Sequence, residues 1–160
     1  MDAVAESTVH VLVACNGPEI PNDESIRRWV TVTLDAASAE AAGEVSVKIV
    51  DTDEMQALNR DFRDTDKPTN VLSFPAGPVA GLPAAEAEVL GDIAICAEVV
   101  HDEAEQQQKT PAAHWAHMLV HGTLHLLGYD HVGADDAMAM QRLETKILEA
   151  GGIADPYRDQ

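Results

Sequence analysis

The sequence predicts an α+β fold: a single domain over residues 1–160, with a four-stranded mixed sheet packed with helices. Two observations predict it. A chain of 160 residues with 46% hydrophobic content is the size of one domain and can bury a real core. Four short apolar runs of strand character are interspersed with longer segments of helical period, and neither a repeat nor a second domain is visible.

Each element has a local reason. His10–Cys15 is an apolar run that reads as a first strand. Asn22 or Asp23 caps a long helix running to about Ala42, with Ile26, Trp29, Val30, Thr33 and Leu34 on its apolar face. Gly43 ends it, and Val45–Val50 alternates as a second strand. Asp53 is expected to cap a shorter helix through Met55, Leu58 and Phe62. A loop over Asp64–Thr69 leads into strand Asn70–Phe74. The segment Pro75–Glu88, rich in proline, glycine and alanine, reads as a mobile surface loop. Leu90–Cys96 is a fourth strand, and a polar helix follows from about Ala97 to Gln107. Thr110-Pro111 opens the next helix as cap and first-turn pair, and Gly128 stops it. A final helix spans Ala134–Ala150 before Gly151-Gly152.

Composition sets limits. The N-terminus has neither a basic region nor a long apolar core, so no signal peptide is expected. No apolar run reaches the ~18 residues of a membrane span, and the chain reads as soluble and cytoplasmic. Cys15 and Cys96 both lie in apolar runs and read as buried, reduced thiols. Ten basic against 28 acidic residues give a formal charge of −18, and only six residues are aromatic. That balance argues against a general RNA binder, which needs a basic surface and stacking rings. Any RNA substrate would arrive through a protein partner or a local basic patch.

The most informative segment is His121-Gly122-Thr123-Leu124-His125-Leu126-Leu127-Gly128-Tyr129-Asp130-His131. Residues four apart share a helix face with Cβ atoms about 5–6 Å apart, so His121 and His125 can grip one ion. Gly128 lets the chain turn, and His131 can swing back as a third ligand. Three neutral imidazoles and an open position describe a catalytic zinc site at the end of a helix in the C-terminal half. The metzincin proteases share this frame but carry Glu after the first His, as general base. Here the position is Gly122, which moves the reading away from peptide hydrolysis.

His114 and His117 fall on the same helical face. A fourth ligand there would make one ion reach across three turns spanning ~11 Å, so packing or hydrogen bonding to neighbouring groups is expected for both. His10 and His101 read as surface residues, and Asp130 either orients a ligand or forms the turn. The stretch Leu58–Pro75 holds Arg60, Arg63 and Lys67 in and after a helix end, with Asp61, Asp64 and Asp66 beside them. An arginine there can bind phosphate oxygens, or the segment is an ordinary solvated turn.

The pair Pro68-Thr69-Asn70-Val71-Leu72-Ser73-Phe74-Pro75 and His121–His131, with Leu90–Cys96 and His114–Met118, resembles the YbeY family of bacterial zinc-dependent endoribonucleases. The likeness runs from about Val45 to Glu149. It implies one zinc ion on His121, His125 and His131, and Arg63 as a basic residue important for activity. It also implies action on the 3′ end of small-subunit ribosomal RNA, with ribosomal RNA and the small subunit or its proteins as partners rather than DNA or membrane. Ribosome quality control belongs to the same implication. Two other classes compete: a ribosome assembly factor whose zinc only fixes the fold, and a metallopeptidase taking its base from elsewhere, such as Asp92 or Glu98.

Overall fold

The computed structural model describes residues 8–17, 19–37, 43–76, 89–129, 133–154 and 156. In chain order the elements are β1 (Thr8–Val13), α1 (Asp23–Ala37), β2 (Glu44–Val50), α2 (Thr52–Arg63), β3 (Val71–Pro75), β4 (Val89–Cys96), α3 (Ala97–Gln106), α4 (Pro111–Leu126) and α5 (Ala134–Ala150). The sheet order is β1-β2-β4-β3. β1, β2 and β4 run parallel, while β3 is antiparallel to β4, from Val71 opposite Ile95 to Pro75 opposite Gly91. The mixed α+β sheet expected from the sequence is present.

Strand alternation divides the core between the two faces. Val45, Val47, Ile49, Ile93 and Ile95 pack on one side against Ile26, Val30 and Leu34 of α1 and Trp115, Met118 and Leu119 of α4. Leu72, Ala94 and Cys96 pack on the other with Met55 and Leu58 of α2. α5 lies against α4 through Met140, Ile147 and Leu148. α4 is therefore covered on several sides, which explains its nearly unbroken burial from His114 to Val120.

Boundaries differ from expectation in small ways. The cap of α2 is Asp51, not Asp53: Asp51 is extended and its side chain accepts from the Glu54 amide at 2.8 Å, leaving Asp53 in the first turn. β1 begins two residues earlier than expected because Thr8 already pairs with Glu44. α1 is capped by Asn22, which accepts from the Ser25 amide, and it ends at Ala37; its expected extension to Ala42 lies outside the described residues. So does most of the expected loop Pro75–Glu88. His101, expected at the surface, is partly exposed there and pairs with Glu105. Cys96 is buried, Cys15 half-buried, and both are free thiols. No described helix is long and apolar enough to cross a membrane.

α4 approaches the sheet closely at Gly122. A Cβ there would stand 3.0 Å from Val71 Cγ2, 3.1 Å from Ile93 Cγ2 and 3.5 Å from Ser73 Oγ. Ser73 Oγ donates to the Gly122 carbonyl at 2.7 Å, pinning the helix to β3. The missing protease glutamate thus has a packing reason: the position faces the sheet at contact distance. Gly122→Glu should place a carboxylate between helix and sheet and cost several kcal/mol of stability. Urea unfolding of the variant and the parent measures it.

Candidate metal centre

α4 starts where Thr110 accepts from the Ala113 amide and Pro111 supplies a preset first turn. Its histidines, at positions 114, 117, 121 and 125, form one stripe. Successive ring centroids are 6.1, 6.0 and 4.5 Å apart. His114 and His117 are buried, while His121 and His125 are half-buried and open onto a groove.

The buried end of this stripe is held by two carboxylates. Glu103 of α3 accepts from His114 Nε2 at 2.9 Å and from Asn70 Nδ2 at 3.2 Å. Glu144 of α5 is only 1% exposed and accepts from His117 Nε2 at 2.9 Å and His121 Nδ1 at 3.0 Å, both on the same oxygen. Burial alone would raise the Glu144 carboxyl, but the hydrogen bonds from His117 and His121 outweigh it and hold it at about 2. Burial also pushes the His117 imidazole down, against the hydrogen bond to Glu144. For Glu103, burial raises the pKa, and the bonds from His114 and Asn70 bring it below the ordinary range.

An ionised carboxylate only accepts, so His121 carries its proton on Nδ1 and presents a bare Nε2 to the groove. There it meets His125 Nε2 at 3.0 Å. Two nitrogens at 2.0–2.1 Å from one tetrahedral zinc would be about 3.3 Å apart, close to this spacing. The donor set fits such an ion. A carboxylate on the far nitrogen is the usual support of a metal-bound histidine. His117, His121 and Glu144 also form a group of donor atoms within 4.8 Å of one another that could hold a metal ion. Their 2.9–3.0 Å contacts are ordinary hydrogen-bond lengths, which favours the groove-facing nitrogens as the ion's side. After α4, Gly128 takes φ +100°, as a turning residue there should. The expected third ligand, His131, and Asp130 lie outside the described residues.

The groove, of about 510 Å³, runs between α4 and β3. Arg63 stands at its edge, with Nη2 donating to the Ser73 carbonyl at 2.7 Å and Nη1 to the Phe62 carbonyl at 3.0 Å. Asn70, Ser73 and Tyr129 also line it, and among the described residues the lining contains no Asp or Glu. Structure therefore brings Arg63, His121 and His125 to one cavity. It also adds residues that the sequence reading passed over. Glu144 had a detectable signal: a glutamate at a core position of the apolar stripe Met140–Glu144–Ile147–Leu148. Asn70 was visible only as part of the Pro68–Pro75 motif, and its pairing with Glu103, 33 residues away, had no local signal. The expectation that His114 and His117 pack and hydrogen-bond is met.

The fold is a small α+β domain whose helix α4 presents an imidazole pair to a groove beside an arginine. The family profile described as Endoribonuclease YbeY matches residues 16–152. Similar curated proteins are named Endoribonuclease YbeY. That of Cellvibrio japonicus (strain Ueda107) is 52% identical over 139 residues, covering 87% of this chain and 76% of the relative. That of Halorhodospira halophila (strain DSM 244 / SL1) is 51% identical over 144 residues, covering 90% and 92%. The solution structure of TM1509 from Thermotoga maritima shares the fold, with TM-score 0.56 and 23% identity over 91% of this chain and 92% of that one. The chain belongs to the YbeY family.

Two outcomes follow from the Glu144 contacts. Glu144→Gln should weaken the affinity for an added divalent metal ion about 10- to 100-fold, measured by chelator competition, because the charge supporting His121 is gone. In metal-free protein, the Glu144 carboxyl at about 2 against 4.5 unfolded contributes stability that is present above pH 4.5 and lost as pH falls toward 2. The lowered His117 acts in the same direction from pH 6.5 downward, because the unfolded chain binds that proton more readily. Thermal melts in chelator should therefore fall with acidification, and Glu144→Gln should flatten the limb below pH 4.5.

Proposed function

We propose that this protein is a zinc-dependent, single-strand-specific endoribonuclease that matures the 3′ end of small-subunit ribosomal RNA in the cytoplasm and takes part in ribosome quality control. The observation that carries this reading is the family match over residues 16–152, whose named relatives are endoribonucleases. The groove supports it, since Arg63 and the His121–His125 pair face one cavity.

His121, His125 and His131 would hold one zinc ion. When bound, zinc supplies a Lewis acid for a phosphoryl oxygen and acidifies water toward neutrality. His121 is kept in its ligating tautomer by Glu144. Arg63 is anchored through two N–H groups and offers its remaining donors to the phosphate, where charge builds in the transition state. Without a carboxylate among the described lining residues, two routes stand. Attack by water can leave a 5′-phosphate, and attack by the neighbouring ribose 2′-hydroxyl leaves a 2′,3′-cyclic phosphate. End-group analysis of the products separates them.

The peptidase alternative meets an obstacle at β3. Even-numbered residues of β3 bond to β4, as the Cys96 amide on the Asn70 carbonyl and the Ala76 amide on the Leu90 carbonyl mark out. Ser73 therefore turns its backbone outward along the groove, where an extended peptide would pair. Its carbonyl is already taken by Arg63.

Zinc-loaded protein should trim precursor small-subunit RNA in ribosomal particles, and a folded His125→Ala variant should not. Absence of cleavage by both would move the non-catalytic assembly factor to first place. Arg63→Ala should lower turnover about 10²- to 10³-fold while zinc affinity stays unchanged. Parallel loss of zinc would overturn the role given to Arg63.

A further inference from the structure

Both phenylalanines of the chain stand together beside Arg63. Phe62, in the last turn of α2, is 60% exposed, and it is the only aromatic among the exposed large hydrophobic residues described. Its ring meets that of Phe74 edge to face, with centroids 5.3 Å apart at 70°. The Arg63 guanidinium carbon lies 5.1 Å from the Phe74 ring centre. Arg63 joins these rings to the groove that holds His121 and His125, because its guanidinium lies against Phe74 and its side chain lines the groove.

We infer that Phe62, backed by Phe74, is a stacking platform for an unpaired nucleobase of the RNA whose adjacent phosphate meets Arg63. The inference rests on the endoribonuclease reading and gives it a source of single-strand preference. The occupant follows from two features. First, the apolar face is joined to positive charge: the Arg63 guanidinium lies against Phe74, while the neighbouring Arg60 is paired with Asp61 and Asp66. A nucleotide carries a flat apolar face and an anion in one unit, which matches this pairing better than an apolar peptide does. Second, a base within a duplex has both faces stacked on neighbours, so only an unpaired base offers one to Phe62. The edge-to-face contact with Phe74 restrains the Phe62 ring before RNA arrives, which lowers the ordering cost of stacking.

The test uses zinc-loaded full-length protein and a short single-stranded oligoribonucleotide carrying 2-aminopurine, with the same sequence as a duplex for comparison. Wild type should bind the single strand with quenching of the fluorophore and bind the duplex more weakly. Phe62 is exposed, so its variants should fold, and circular dichroism checks that they do. Phe62→Ala should raise Kd and KM about 5- to 150-fold, with kcat at saturation unchanged. Phe62→Trp should restore binding and quenching, whereas Phe62→Leu, apolar without a π face, should not. Wild-type affinity and quenching in Phe62→Ala, or full rescue by Phe62→Leu, would overturn the platform while leaving the nuclease reading in place. Failure of the wild type itself to bind the single strand would overturn both.

Discussion

The close approach of α4 to β3 at Gly122 is the constraint on which the site depends. With no side chain between them, the helix carbonyl reaches Ser73 Oγ and the helix backbone settles on Val71 and Ile93. That contact sets the width of the groove and brings His121 and His125 opposite the edge where Arg63 is tied to Ser73. It also explains why a helix with the histidine spacing of a protease lacks the protease's acid–base group. A side chain there would press on Val71 and Ile93 at less than ordinary contact distance, at the expense of the helix's docking on the sheet.

A second constraint is electrostatic. Glu144 sits in the core between α4 and α5, and an ionised carboxylate there would be costly if unpaired. Two imidazole N–H groups satisfy it on one oxygen, and the charge in turn selects the tautomer of His121. Packing of α5 and orientation of the groove-facing nitrogen are therefore one arrangement. Glu103, with His114 and Asn70, repeats the pattern at the start of β3. In a chain of formal charge −18, Arg63 is the one Lys or Arg among the described residues that line the groove.

Low aromatic content argued from composition against base stacking, yet both phenylalanines meet beside the arginine that lines the groove. A count carries no positions. Phe62 and Phe74 are brought together only because the turn after α2 folds its last helical residues back along β3. The misplaced cap at Asp53 has a similar cause on a smaller scale: Asp51 and Asp53 are equally good capping residues, and the choice fell to the one left extended at the end of β2.

The sequence by itself determined the α+β class, every secondary-structure element to within a few residues where described, and the pairing of His121 with His125. Those features depend on short-range spacing, which an α-helix or a strand converts directly into a shared face. Tertiary structure alone decided that β3 would run antiparallel beside β4 and that Glu144 would support His121. It also set Glu103 against His114 across α3 and α4, and Arg63 on Ser73. Each of these joins residues distant in the chain or in separate elements, whose meeting depends on how helices dock on the sheet, and docking is fixed by the shape of the whole core rather than by any local period.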